Sequence, residues 1–348
     1  MSAPQADRPD DRRAWELPGP QPVAPGVHRI PLPLPGDALR AVNVYAVADG
    51  QGLTLVDAGW ALADSRRELE RALGVLGHDL REIHRFLVTH VHRDHYTQAI
   101  VIRRLLGTRV ELGQGEHHSL EEILANPQPL GRGARARLSA AGAGALLEAL
   151  LTLIPDGAAD VSDWGLPDGW LVDGQKIALA DRTLEVLETP GHTRGHVVFH
   201  DAAAGLLFAG DHVLPNITPS IGFEGMPSSS PLRDYLTSLA RLDVLGDPVL
   251  LPAHGPVLAG TRERVRELQA HHEHRLEASL AAVRNGASTG YEVAGALTWT
   301  RRNHRFADLD PFNQMLAVIE TAAHLLLLVD RGALSVTDID GVTHYTDT

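Results

Sequence analysis

The chain has 348 residues, no cysteine, and a formal net charge of -13 from 44 acidic against 31 basic residues. The acidic balance argues against a surface that tracks a phosphate backbone, so nucleic acid is not the expected partner. The missing thiols exclude disulfides, thiolate nucleophiles and sulfur ligands, which leaves His, Asp and Glu as candidate metal ligands.

Residues 1–26 are rich in Pro and charge and hold no apolar run resembling a signal peptide, so they are expected to form a flexible tail. With no stretch of 18 apolar residues elsewhere, a cytoplasmic protein without a membrane partner is expected. Two β-rich runs, 42–47 and 53–56, flank the turn chemistry of Asp49-Gly50-Gln51-Gly52. A helix over 62–76, a buried strand over 83–88, a helix over 98–106 and a short strand over 109–112 then alternate as in a layered α/β domain. Residues 115–169 differ: helical material at 119–124 and 134–154, broken by Asn126-Pro127 and Gly131-Arg132-Gly133, reads as a helical insertion.

Strands resume at 183–187, 197–200, 206–208 and 249–251. From residue 261 the pattern becomes long helices, 262–284, 291–297 and 312–329, followed by a terminal hairpin, 334–339 and 342–345, around Asp340-Gly341. Three helices and a hairpin describe a winged-helix-like domain over 261–348. Such domains often bind DNA, but this segment has nine arginines against twelve acidic residues, which favours packing or homodimerisation instead.

The strongest chemical signal is Thr89-His90-Val91-His92-Arg93-Asp94-His95, with four metal-capable side chains in six positions on a loop after a strand. Three weaker signals follow in order: Thr189-Pro190-Gly191-His192-Thr193-Arg194-Gly195-His196, Leu207-Phe208-Ala209-Gly210-Asp211, and Leu251-Pro252-Ala253-His254-Gly255-Pro256. Each ends an apolar run with a histidine or carboxylate. His196 reads as a partner of its turn rather than a ligand. His271, His272, His274 and His324 lie on helical patterns and read as packing or surface residues.

Taken together, these segments resemble the metallo-β-lactamase superfamily over residues 27–260: a His-x-His-x-Asp-His loop, a lone His, an Asp after a strand and a final His. The resemblance implies an αβ/βα sandwich with the site along one edge of two sheets. It further implies that His90, His92 and His192 hold one metal ion, that Asp94, His95 and His254 hold a second, and that Asp211 bridges them. Asp57, in Leu55-Val56-Asp57-Ala58-Gly59, matches the early aspartate that supports the ligand loop. Nitrogen and oxygen ligands favour Zn²⁺, with Fe or Mn also compatible. One departure is Tyr96-Thr97-Gln98, where the family often has Gly-Gly. The last third is similar to the lactamase-beta-2-like subfamily, which appends a winged-helix domain.

The resemblance implies a zinc hydrolase in which a metal-bridging hydroxide attacks a small-molecule carbonyl compound, a thioester or ester ahead of a lactone, with Asp94 orienting the nucleophile and shuttling its proton. Substrate choice is assigned to the helical insertion and to 214–231, with Ile217, Ile221, Phe223 and Met226 as an apolar cover. One rival is a metal-dependent endoribonuclease or phosphodiesterase. The 43-residue spacing from Asp211 to His254 leaves no room for the clamp domain that some nucleases insert there. A mononuclear iron sulfur-compound oxygenase, a flavodiiron-like redox protein and a catalytically silent binding module are the others; seven intact ligand positions count against the first and last, and the lack of a visible flavin domain against the second.

Overall fold

The computed structural model describes residues 11–348 apart from 37, 51, 129, 154–158 and 301–302. The chain opens with an antiparallel meander, β1 (Gln21–Ala24), β2 (Val27–Pro33), β3 (Ala41–Asp49) and β4 (Gly52–Val56). Helix α1 (Ala63–Val75) then returns the chain to β5 (Ile83–Val88), parallel to β4, and α2 (Arg93–Leu106) returns it to β6 (Arg109–Gly113), parallel to β5. The helical insertion forms α3 (His117–Ala125), α4 (Arg132–Ala140) and α5 (Gly144–Leu153) before β7 (Gly169–Leu171) completes a seven-stranded sheet in sequence order.

The second sheet contains β8 (Lys176–Ala178), β9 (Thr183–Glu188), β10 (Val197–Asp201) and β11 (Leu206–Gly210), then α6 (Pro231–Asp243) and β12 (Val249–Pro252). Its order is β12-β11-β10-β9-β8, with β12 parallel to β11 through the α6 crossover. The strand period of two sorts side chains into layers. Val42, Val44, Leu55, Phe86 and Val88 face α1 and α2, while Tyr45, Val56 and Leu87 meet Val186, Phe199, Phe208 and Leu251 between the sheets. On the far side of the second sheet, Val198, Leu207 and Ala209 pack with Tyr235 and Leu239 of α6. The result is a helix–sheet–sheet–helix sandwich.

Beyond it come α7 (Arg262–Arg284), α8 (Gly290–Ala296), the two-residue strands β13 (Thr298–Trp299) and β14 (His304–Arg305), α9 (Pro311–Asp330), and the hairpin β15 (Leu334–Ile339) and β16 (Val342–Asp347). This segment does not form a core of its own. Val265, Leu268, Leu276, Leu325 and Leu328 belong to the same apolar cluster as Leu207 and Val198 of the second sheet. The insertion joins it too, because Leu138, Leu146 and Leu150 pack against Met315, Val318 and Ile319 of α9. By length and composition α9 could cross a membrane, but 56% of its most apolar window is buried inside the protein.

Two expectations need correction. Residues 11–26 are not a flexible tail: 11–16 form a short 3-10 helix, and Gln21–Ala24 pairs antiparallel with β2 because its backbone extends the open edge of the meander. Residues 1–10 lie outside the described residues. Helix α2 begins at Arg93 rather than residue 98, so Asp94 and His95 stand in a first helical turn instead of a loop. A carboxylate there faces the positive end of the helix dipole, which favours a helix start within the motif.

Candidate metal centre

The four ligand segments end four strands, β5, β9, β11 and β12, at one edge of the sandwich. Gly191 and Gly210 make the turns that deliver two of them. Both have positive φ, +138° and +51°, and a Cβ on Gly191 would lie 2.4 Å from Tyr235 Cβ. On Gly210 it would lie 2.7 Å from Thr89 and from His196 Nε2, so the chain before Asp211 can pass only without a side chain.

All seven predicted ligand residues converge. His90 Nε2 and His192 Nε2 lie 3.0 and 3.1 Å from His92 Nδ1, and His192 Nε2 lies 3.5 Å from Asp211 Oδ2. A second group adjoins the first. Asp94 Oδ2 is 3.5 Å from His95 Nε2 and 3.4 Å from His254 Nε2, and Asp211 Oδ1 is 3.4 Å from His254 Nε2 and 3.7 Å from His95 Nε2. The Asp211 carboxylate is thus divided, one oxygen toward each group.

The outer nitrogens are all occupied. His92 Nε2 donates to Phe223 O at 3.0 Å, His192 Nδ1 to Ser220 O at 2.7 Å and His254 Nδ1 to Ala41 O at 2.8 Å. A carbonyl only accepts, so each of these rings carries a hydrogen on its outer nitrogen and turns the other nitrogen inward. His90 Nδ1 meets Thr89 Oγ1 at 3.1 Å, and His95 Nδ1 meets Asp57 Oδ2 at 3.0 Å. Asp57 also accepts from the Thr89 N–H, and its φ is +60°.

Do these residues fit cations? His95 Nε2, His254 Nε2 and Asp211 Oδ1 are buried with no hydrogen-bond partner among the described residues, and all three point into the same small volume. Buried polar atoms are rarely left unpaired, and these three, facing one another, call for positive charge between them, carried by protons or by a cation. The donor set, imidazole nitrogen and carboxylate oxygen, suits divalent ions of the Zn²⁺ class.

Proton affinities follow the same geometry. Burial, with His95, His92 and His192 alongside, drives His90 well below its ordinary value, and burial beside His192 takes His92 down to about 3. Burial also pushes His95 down, but Asp94, Asp57 and Asp211 reverse it and hold His95 up to about 10. His254 is likewise raised, against burial, by Asp211 and Asp94. Asp94 and Asp211 are buried, which favours their neutral forms, yet the surrounding imidazoles keep both carboxylates below the ordinary range. A proton and a cation compete for the same lone pairs, so cation binding here releases protons.

His196 takes the supporting part expected of it: Nδ1 meets Thr189 Oγ1 at 2.9 Å, and Nε2 accepts from the Asp211 N–H at 3.2 Å. Tyr96, Thr97 and Gln98, the departure from Gly-Gly, are all buried. Tyr96 donates to Gly165 O at 2.7 Å and Gln98 to Ala58 O at 3.0 Å, so this variation braces the helix behind the ligands rather than opening access to them.

The proposed apolar cover is divided. The Phe223 ring lies 6.1 Å from His92 and 5.8 Å from Phe312, Ile221 is buried in the core, and Ile217 and Met226 are exposed. A cleft of about 380 Å³ beside His254 is bounded by Ile217 and Asn216 but also by Arg13, Trp15, Leu39 and Arg40. The N-terminal segment therefore forms one wall, the 214–231 loop contributes Asn216 and Ile217, and, contrary to expectation, none of the described residues of the insertion lines this cleft.

Two supporting residues escape sequence reading. Glu116 Oε1 accepts from the Val91 N–H at 3.3 Å and from Thr193 Oγ1, linking the loops of His90 and His192. Nothing in Gly115-Glu116-His117 signals this. Asn43 donates to Pro252 O and Gly255 O, both at 2.9 Å, and fixes the loop of His254. A signal for it does exist, since Asn stands alone in the apolar run Val42-Asn43-Val44.

A model of the metallo-beta-lactamase superfamily matches residues 37–254, a span that contains all seven of these side chains. A probable metallo-hydrolase, YqjP, of Bacillus subtilis (strain 168) is 26% identical over 326 residues, 88% of this chain and 92% of that protein. The crystal structure of a metallo-beta-lactamase family protein from Thermus thermophilus, TTHA1429, superposes with a TM-score of 0.77 at 29% identity, covering 94% of this chain and 100% of that one. A beta-lactamase domain protein from Burkholderia ambifaria gives 0.74 at 27% identity, with 96% and 98% covered.

Proposed function

The chain belongs to the metallo-beta-lactamase superfamily of metallo-hydrolases, and from that premise we propose that it is a two-zinc hydrolase of a small carbonyl substrate, a thioester or ester ahead of a lactone. The observation that carries this reading is the division of Asp211, with Oδ2 toward His192 and Oδ1 toward His254 and His95. One carboxylate serving two clusters is what a pair of ions calls for. When bound, the two ions supply a water activated near neutral pH and a Lewis acid for the substrate oxygen.

His90, His92 and His192 would hold one ion and Asp94, His95 and His254 the other, with Asp211 shared. The chain's own residues do the rest. Asp94 is the less enclosed of the two central carboxylates, 17% exposed at its side chain against 9% for Asp211, and so is the one able to take a proton and pass it to solvent. Asp57, Thr89 and the carbonyls of Ala41, Ser220 and Phe223 hold the imidazoles in single orientations, so little reorganisation accompanies the reaction. Phe223 limits water on one side. Trp15, Leu39 and Ile217 offer an apolar wall for an acyl or aromatic group, while Arg13 offers a positive charge on the same wall, where Arg40 is already paired with Glu16 at 3.8 Å.

The same reading takes α7–α9 with the β15–β16 hairpin as the winged-helix unit of a lactamase-beta-2-like arrangement, supported by structural similarity that runs through nearly the whole chain. Its acidic balance supports a small-molecule substrate over nucleic acid. The test is metal content together with a turnover panel of acyl thioester, ester, lactone, phosphodiester and RNA, with His92→Ala alongside. Two zinc per chain and hydrolysis of an acyl compound that is lost in His92→Ala support the proposal. One iron per chain, or activity unchanged in His92→Ala, overturns it.

A further inference from the structure

Away from the metal centre, His271 and His272 of α7 and Glu320 of α9 each present one ligand atom, and these atoms all lie within 4.8 Å of one another. By spacing alone the histidines are packing residues. Their hydrogen bonds argue otherwise. His324 Nδ1 lies 2.8 Å from Glu320 O, a carbonyl that only accepts, so Nδ1 carries the hydrogen. His324 is fully buried, where an uncompensated imidazolium is costly, so the ring is neutral and its Nε2 is an acceptor. His272 Nδ1, 3.1 Å from that Nε2, must then donate to it.

One consequence is fixed by this relay: His272 Nε2 carries a lone pair. His272 is fully buried, and its Nε2 has no partner among the described residues. A buried lone pair without a donor is rare in a folded protein. A histidine that donates its Nδ1–H to a fixed acceptor and leaves Nε2 without a donor is arranged as metal-ligating histidines are. Glu320 is the one acidic group of the three; burial raises its proton affinity against the pull of Arg275, so a bound cation takes the place of that proton. The charge of Arg275 reaches all three residues, but its hydrogen bond is spent elsewhere: the guanidinium lies 4.2 Å over the Trp299 ring and donates to Thr298 O at 3.0 Å.

We infer that His271, His272 and Glu320 form a third metal site, which takes a divalent ion of the zinc class and pins α7 to α9. Two imidazoles and one carboxylate from two helices leave a fourth position for water. The site is independent of the two-ion reading of the catalytic edge, because it predicts a difference of one ion whatever the total there.

The experiment loads the full chain with zinc alone, removes loosely held metal by dialysis, and counts zinc per chain in the parent, in His271→Ala and in Glu320→Gln. His271 is partly exposed and its loss leaves the relay intact, so that variant is expected to fold, which circular dichroism checks. Each variant should hold one ion fewer than the parent, lose part of the zinc-dependent rise in Tm, and hydrolyse substrate at the parent's rate. Equal zinc counts in the parent and in folded His271→Ala would overturn the site.

Discussion

Asp57 Oδ2 lies 3.0 Å from His95 Nδ1, and this contact decides which nitrogen of His95 faces Asp94 and Asp211. Since Asp57 Oδ1 already accepts from the Thr89 N–H at 2.8 Å, an asparagine there would keep its oxygen on Thr89 and turn its amide N–H₂ toward His95. The ring would then have to accept at Nδ1 and carry its hydrogen at Nε2. Asp57→Asn, tolerated by the backbone because asparagine adopts positive φ readily, should therefore weaken zinc at the second cluster by roughly 10- to 100-fold. Competition with a chromogenic chelator measures it.

Asp94 is placed both to hold an ion and to move a proton. Asp94→Asn keeps an oxygen at the same position but not a basic one, so kcat should fall by roughly 10²- to 10⁴-fold with a smaller change in KM. A loss confined to KM would assign Asp94 to binding alone.

The acidic surroundings of His95 and His254 give metal binding a sign with pH. Both imidazoles hold their protons above the ordinary range, His95 up to about 10, and must release them to bind a cation. Zinc affinity at this cluster should rise steadily from about pH 6 to about pH 9, with protons released on binding. Chelator competition across that interval, with calorimetry in buffers of different ionisation enthalpy, checks both. A flat profile would contradict the assignment.

Gly191 allows the β9 turn to pass Tyr235. With a Cβ built there 2.4 Å from Tyr235 Cβ and a φ of +138°, Gly191→Ala must shift either the His192 turn or α6. The expected cost is about 1–3 kcal/mol in urea unfolding, with weaker zinc binding as His192 moves.

Tyr96→Phe tests the departure from Gly-Gly behind the ligand helix. Losing the 2.7 Å hydrogen bond to Gly165 O should lower stability by about 1 kcal/mol. Because Tyr96 braces α2 from the side away from the cleft, kcat should change little.

How far the residues foretell this arrangement depends on where each piece of information resides. The ligand segments are legible because each ends an apolar strand with a His or Asp, a local pattern that needs no knowledge of the partner strand. Helix α7 reads at its observed ends, 262 and 284, because its 23 residues are long and well bounded. Helix α6 escapes although its apolar positions recur at helical spacing, because the preceding Pro- and Ser-rich stretch reads as a continuing loop. Strands β1, β2, β7 and β8 escape for a different reason: they are short or interrupted by Pro, and pairing with neighbours supplies most of their stability. Glu116 lies beyond reach, since its value comes from touching Val91 and Thr193, far away in sequence.

The apolar cluster running from Leu207 in the second sheet to Leu328 in α9, together with the packing of Leu138 and Leu146 on Val318, changes what the last third of the chain can be in practice. It is not cargo that a gene fusion could exchange for another appendage. Ending translation near residue 260 would strip the outer face of β10 and β11 and the underside of the insertion at once, yielding a sticky fragment in place of a smaller enzyme.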